Sequence, residues 1–336
     1  MRRRLPAEWE EHRAIWLAWP HNETTWPGLH PKAIAAFEEF VRSVRRFEPV
    51  ELLVPTHDLA AQISARTDLG GPHDLWVHVV PTDDSWLRDT GPIFCVEGDE
   101  LVATDWIFNA WGEKYPPWDR DAAVGKEIAS RTSCRYDAVD LVLEGGSIET
   151  DGRGTVLTTE SCLLHPKRNP ELDRGALEKA LCDRLGVERV LWLASGIDGD
   201  DTDGHVDDIT RFVDEGRMVS VVESNERDEN FAPLRENMER LRSFRDLFGK
   251  PYEAVELPSP APVVWQGDRL PASYANFLFV KGGLLVPVFD DPADDRALGI
   301  LRELLPDREI VGVPCRELVV GLGAVHCLSK DEPRIH

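Results

Sequence analysis

The chain has 336 residues, 42% hydrophobic and 29% charged, which is enough apolar material for a large core and too much for a disordered segment. Its formal net charge of −23 repels phosphate backbones and favours cations, and no apolar run reaches the roughly 20 residues that cross a bilayer, so neither nucleic acid nor membrane is expected as a partner. Six cysteines (Cys95, Cys134, Cys162, Cys182, Cys315 and Cys327) are scattered without CxxC pairs, which argues for separate reduced thiols in a cytoplasmic protein and against a zinc ribbon or a disulfide framework.

The start, MRRRLPAEWEEH, is basic and then acidic with no apolar stretch behind it, so it does not read as a secretory signal. A strand-like run, Ala14–Trp19, follows without an obvious neighbour. From Trp86 onward four segments share one layout: a polar motif, a β-rich run, a turn rich in glycine and acids, and a second β-rich run. They begin at WLRDTGP (86–92), LEGGSIE (143–149), GHVDDIT (204–210) and SYANFLF (273–279), and each predicts a hairpin. Between hairpins the period changes to about 3.6. Leu177, Leu181 and Leu185 form one stripe before Gly186, and similar helical stretches cover 232–242 and 294–305, with strand-like runs at 190–193 and 309–313 after the first and last of them.

The repeating unit is therefore hairpin, helix, strand. Its head residues are Asp89, Glu144, His205, Asn276 and Cys327, separated by 55, 61, 71 and 51 residues. Blocks of similar length arranged radially would aim five heads at one axis, as propeller blades do. The last unit stops soon after Cys327, and the strand at 14–19 is the natural piece to complete it. This predicts one α/β domain over residues 1–336, with a shared site at its centre.

Each head has a bland reading. Asp89 alone is a turn or cap residue, Glu144 precedes an ordinary Gly-Gly turn, and a free cysteine such as Cys327 is most often inert and buried. The acidic stretch 198–208 fails the EF-hand pattern, because aligning Gly204 at position six puts Gly199 at one and Thr210 at twelve. His205 has no partner histidine at helical spacing for zinc. Taken together, the heads describe thiolate chemistry instead: a cysteine in a glycine-loosened turn, GLGAVHC (321–327), a histidine to tune it, and a glutamate to fix the imidazole. His326 reads as structural, since neighbours on a strand face opposite ways.

These motifs resemble the agmatine deiminases and porphyromonas-type peptidyl-arginine deiminases of the guanidine-modifying pentein superfamily. The resemblance runs through WLAWPHN (16–22), WLRDTGP (86–92), FNAWG (108–112), LEGGSI (143–148), RNP (168–170), DTDGHVD (201–207), ASYANF (272–277) and His326-Cys327. It implies a five-bladed, pseudo-symmetric α/β propeller and hydrolysis of a small guanidino cation. In that reading Cys327 is the nucleophile, His205 the general acid and base, Glu144 its orienting partner, and Asp89 and Asp207 the guanidinium ligands. Asn276, Trp86 and Trp111 are supporting residues, and no metal or cofactor is implied. The expected reaction is agmatine and water to N-carbamoylputrescine and ammonia. Alternatives are a peptidyl-arginine or other guanidine deiminase, an amidinotransferase and a catalytically dead pentein, while a homo-oligomer is compatible with all of them. The stretch from Phe108 to Trp118 offers only Lys114 as a clamp for a substrate carboxylate. The chain also departs from the family pattern around the thiol, with GLGAV before His326, Glu149 where histidine is usual, and Leu328-Ser-Lys after Cys327, which bears on how the far end of a substrate is held.

Overall fold

A computed structural model describes residues 2–335. Five sheets share one pairing rule: an antiparallel hairpin followed by a parallel strand. Strand Ile93–Glu97 pairs antiparallel with Glu100–Ile107, which pairs parallel with Cys134–Val142. The same rule joins Glu149–Thr150, Thr155–Thr159 and Arg189–Leu193, then Thr210–Phe212, Arg217–Val222 and Glu253–Pro258, then Leu278–Val280, Gly283–Val288 and Glu309–Pro314. Strand Ser329–Pro333 completes the set by pairing antiparallel with His12–Ala18, itself parallel to Val50–Val54. The N-terminal run thus finds its partner just beyond Cys327, as the truncated last unit predicts.

The parallel pairings require crossover helices, and the sequence supplies them with local signals. Helix Arg174–Leu185 starts at Asp173, whose carboxylate accepts from Ala176 N at 2.9 Å, and ends at Gly186 in the left-handed region. Leu177, Leu181 and Leu185 are its buried face. Helices Phe231–Ser243 and Ala293–Leu304 occupy the matching slots. Helix His30–Val44 buries Ala33, Phe37, Phe40, Val41 and Val44, a helical stripe that drives it onto strand Glu309–Pro314.

Some elements depart from the repeat. The helix of the first unit shrinks to Val124–Ala129, leaving 108–123 as a long connection. Arg3–Arg4 forms an extra edge strand beside Glu97 and Val96, so the basic start of the chain pairs with a sheet. A small hairpin, Val264–Trp265 with Asp268–Arg269, is inserted before Asn276. Among the described residues no helix is long and apolar enough to cross a membrane.

Candidate active site

All five head residues lie in the turn that leads into the first strand of their sheet. Asp89 is in the short helix Leu87–Thr90, Glu144 and His205 cap single 3-10 turns (Gly145–Ser147 and Val206–Asp208), and Asn276 and Cys327 precede Leu278–Val280 and Ser329–Pro333. The common position on a common scaffold brings them together. Asn276 Nδ2 donates to Cys327 Sγ at 3.0 Å, and Cys327 Sγ is 3.9 Å from Asp207 Oδ2. His205 Nδ1 is 3.7 Å from Asp89 Oδ1. A Cβ on Gly146 would lie 2.6 Å from His205 Nδ1, 2.9 Å from Asp89 Oδ1 and 3.0 Å from Asp207 Oδ2, so these three groups converge where only glycine fits.

A cavity of about 870 Å³ opens onto Asp89 and Cys327 and is lined by Trp86, Phe108, Trp111, Tyr115, Trp118 and Trp265 among others. Seven of its lining residues are carboxylates, against Lys114 and Arg120 as fixed cations. Lys114 Nζ is taken by Asp203 Oδ1 at 2.8 Å and by the Asp201 carbonyl. The cavity therefore favours a cationic, partly apolar guest.

Trp111 reaches the site through an unusual backbone. Ala110, Trp111, Gly112 and Glu113 have φ of 52°, 55°, 89° and 66°, four successive left-handed residues. Non-glycine residues there cost on the order of 1–3 kcal/mol each. Asn109 holds the turn, accepting from Gly112 N at 2.9 Å and donating to Lys167 O at 2.8 Å. The result is Trp111 Nε1 donating to Asp89 Oδ2 at 3.0 Å, while Gly146 N donates to Asp89 Oδ1 at 2.9 Å. Trp86 packs 5.8 Å from Trp26, and Gly323 passes so close that a Cβ would sit 2.6 Å from Trp86 Cζ3 and 2.9 Å from Cys327 Cβ. The glycines before Cys327 thus make room for tryptophan and the thiol.

The electrostatics oppose a free thiolate. Burial, then the charges of Asp207, Asp208 and Asp89, push the Cys327 thiol well above its ordinary range. His205 goes the other way: burial alone would lower it, but Asp89, Cys162 and Asp207 raise it well above the usual imidazole value, so it holds its proton at neutral pH. Asp207 stays low despite burial because of its bond to His326 and the neighbouring positive charges.

Glu144 departs from the simple picture of a hydrogen-bonded imidazole. Its Oε1 lies 2.6 Å from Arg168 Nε, with both side chains fully buried, at an angle off a hydrogen bond, and neither carboxylate oxygen has a hydrogen-bond donor. It remains within 4.8 Å of a His205 ring nitrogen, together with the Cys162 sulfur. Sequence reasoning did not single out Arg168 or Cys162 as site residues, because nothing in their spacing links them to Glu144 or His205. It also set His326 aside. His326 and Cys327 lie in a turn, so strand alternation does not govern them, and the imidazole reaches Asp207 Oδ2 at 2.6 Å and Glu8 Oε2 at 2.6 Å. All six cysteines are free thiols. Glu144, Cys162 and His205, and likewise Asp207, Asp208 and Cys327, are close enough to hold a metal ion, although Arg168 beside Glu144 opposes a cation in the first group.

A fold of repeated hairpin-helix-strand units with cysteine, histidine and paired carboxylates at a cation-favouring cavity defines a thiol-dependent enzyme class. The family model for porphyromonas-type peptidyl-arginine deiminases matches residues 4–333, and the chain belongs to that family. It is 38% identical to the agmatine deiminase of Pseudomonas putida, covering 98% of this chain and 95% of that protein. Among solved structures, the agmatine deiminase of Enterococcus faecalis superposes with a TM-score of 0.93 at 33% identity, covering 99% of this chain and 96% of that one. The C. jejuni agmatine deiminase with substrate bound superposes at 0.90 with 31% identity, covering 99% and 96%.

Proposed function

We propose that this chain hydrolyses agmatine to N-carbamoylputrescine and ammonia, using one catalytic domain that spans the chain. The five sheets would stand as blades of a pseudo-symmetric propeller, a reading supported by their shared pairing rule and by heads that meet at one place. The observation that carries the function is the pair Asp89 and Asp207 flanking a neutral thiol. Asp207 Oδ1 is buried and has no hydrogen-bond partner among the described residues, an arrangement that costs free energy until a donor arrives. A guanidinium supplies planar N–H donors that match carboxylates.

The chemistry follows from the charges. As the cation binds between Asp89 and Asp207, it offsets the negative field that keeps Cys327 protonated, and the thiol proton passes to solvent through the cavity that Cys327 lines. The thiolate attacks the guanidinium carbon, forming a C–S bond and a tetrahedral adduct. The adduct breaks one C–N bond, and protonated His205 gives its proton to the departing ammonia. His205, now neutral, takes a proton from water that attacks the thiouronium carbon; the C–S bond then breaks with its electron pair on sulfur, the hydroxyl proton of the adduct passes to the thiolate, and the ureido product is released with Cys327 and His205 both protonated again. Asn276 Nδ2, 3.0 Å from the sulfur, holds the thiol in place. Glu144, paired to Arg168, supplies the negative charge behind His205. These steps call on no metal or cofactor.

Agmatine is favoured over arginine because Lys114 is already committed to Asp203 and Asp201, and Arg120 stands 4.0 Å from Asp83. The small guanidino cation is the partner this site requires, and a cytoplasmic location agrees with the free thiols. The test is ureido product from purified protein with agmatine, arginine and an arginine peptide, each with and without added amine. Ureido product from agmatine alone is expected. Turnover of arginine or the peptide without agmatine turnover overturns the substrate, and amidino transfer to the added amine overturns hydrolysis.

A further inference from the structure

Two buried groups at this site have no part in the chemistry above. His326 shares a turn with Cys327, and its ring is held between two carboxylates, Nδ1 at 2.6 Å from Asp207 Oδ2 and Nε2 at 2.6 Å from Glu8 Oε2. A ring with a carboxylate oxygen that close to each nitrogen is fixed in rotation. Glu8 comes from the N-terminal segment, 318 residues earlier, and is itself pinned: its Oε1 accepts from Phe279 N at 2.9 Å and lies 3.0 Å from Arg211 Nη2, and Arg88 Nη2 lies 3.2 Å from Oε2. Glu8, His326 and Asp207 are all buried.

The oxygen that His326 occupies is also the one 3.9 Å from the Cys327 sulfur. The other oxygen, Oδ1, is left without a partner. We propose that Glu8 and His326 are positioning residues for guanidinium recognition: Glu8 locks His326, and His326 occupies Asp207 Oδ2, so that the carboxylate is fixed in rotation and Oδ1 is left to the substrate. The N-terminal segment then contributes to the site through Glu8. This assignment rests on the guanidinium reading of Asp207 and deepens it.

The test uses agmatine binding by calorimetry in a Cys327→Ser background, which removes turnover, with His326→Leu, His326→Gln, Glu8→Gln and the Glu8→Gln/His326→Leu pair. Loss of a charge-assisted contact weakens Kd about tenfold or more. His326→Leu is expected to show that loss at unchanged stoichiometry, with His326→Gln recovering part of it through its amide donor. Glu8→Gln should fall between wild type and His326→Leu. Because Glu8 acts through His326, adding Glu8→Gln to His326→Leu should weaken Kd no further. A merely structural role would lower the stoichiometry of competent sites and leave Kd in place, or give additive losses, and either result overturns the proposal. Should His326→Leu fail to fold, Glu8→Gln with wild-type Kd overturns it equally. If the wild-type protein does not turn over agmatine, the functional reading fails first; wild-type turnover with unchanged Kd in the variants removes this inference alone.

Discussion

Cys327, His205 and Asp121 illustrate how far an environment can move a side chain from its solution chemistry. Cys327 is buried among carboxylates, and burial with their charges pushes its thiol well above the ordinary range. Cys327→Ser should therefore lower ammonia release by about 10⁴-fold or more while leaving agmatine binding measurable, since only the nucleophile is lost. Retained turnover would reject Cys327 as nucleophile. At the cavity wall, Asp121 accepts from the amides of Asp83 at 2.7 Å and Asp84 at 3.2 Å. Burial raises its carboxyl to about 7, against the lowering effect of those amides and with help from the charges of Asp84 and Asp83. In the unfolded chain the group loses its proton near ~3.9. Between those values the folded state holds more protons, so Asp121 contributes stability that is present at low pH and lost as pH rises through 7. Asp121→Asn keeps an acceptor oxygen but does not titrate, and its melting temperature relative to wild type should climb from pH 5 to pH 8. A difference that stays flat over that range would show that Asp121 does not titrate there.

At the scale of elements, the site depends on turns more than on strands. Gly146 N anchors Asp89, and its Cα faces His205 and Asp207 at a distance that admits no Cβ. Gly146→Ala should leave the fold intact, because the turn belongs to a sheet paired on its far side by Arg189–Leu193, but should displace His205 or Asp89 and cut kcat/KM at least about tenfold, since misplacing a reacting group by roughly 1 Å costs on the order of 10². Kinetics on the purified variant with circular dichroism as the control decide it; unchanged kcat/KM would mean the turn has slack. By contrast Leu181→Ala, on the buried face of helix Arg174–Leu185, should cost about 2–5 kcal/mol of stability in denaturant melts and leave KM near wild type, because this helix carries no site residue. The helices and hairpins were legible because their signals are local: a leucine stripe at 177, 181 and 185 with Gly186 after it, glycine and acids between apolar runs. The left-handed turn at Ala110–Glu113 was not legible, since only its glycine signals that geometry and three of its residues adopt it against their own preference.

For the whole molecule, the charge of −23 acts through the cavity, where carboxylates outnumber fixed cations. A dicationic substrate gains from that field, and salt weakens it over a Debye length of about 10 Å at 0.1 M. KM for agmatine should rise several-fold between about 0.02 and about 0.3 M salt, with kcat much less affected, because the clamp itself is buried. A KM indifferent to salt would confine the attraction to Asp89 and Asp207. The spacing of polar heads, a local and repeated property, was enough to predict the unit, the N-terminal strand that completes the last one, and the meeting of Asp89, Glu144, His205, Asn276 and Cys327. What the sequence could not reveal is the shell behind them. Glu8 with His326, Arg168 with Glu144, and Cys162 with His205 are pairs whose members join no shared motif and are brought together only by packing. The amino-acid sequence by itself determined the repeat and the polar residues at its heads, because hydrophobic period and turn chemistry act over a few positions. Only the tertiary structure decided which buried charges face one another, because that depends on how sheets distant in sequence stack at the centre.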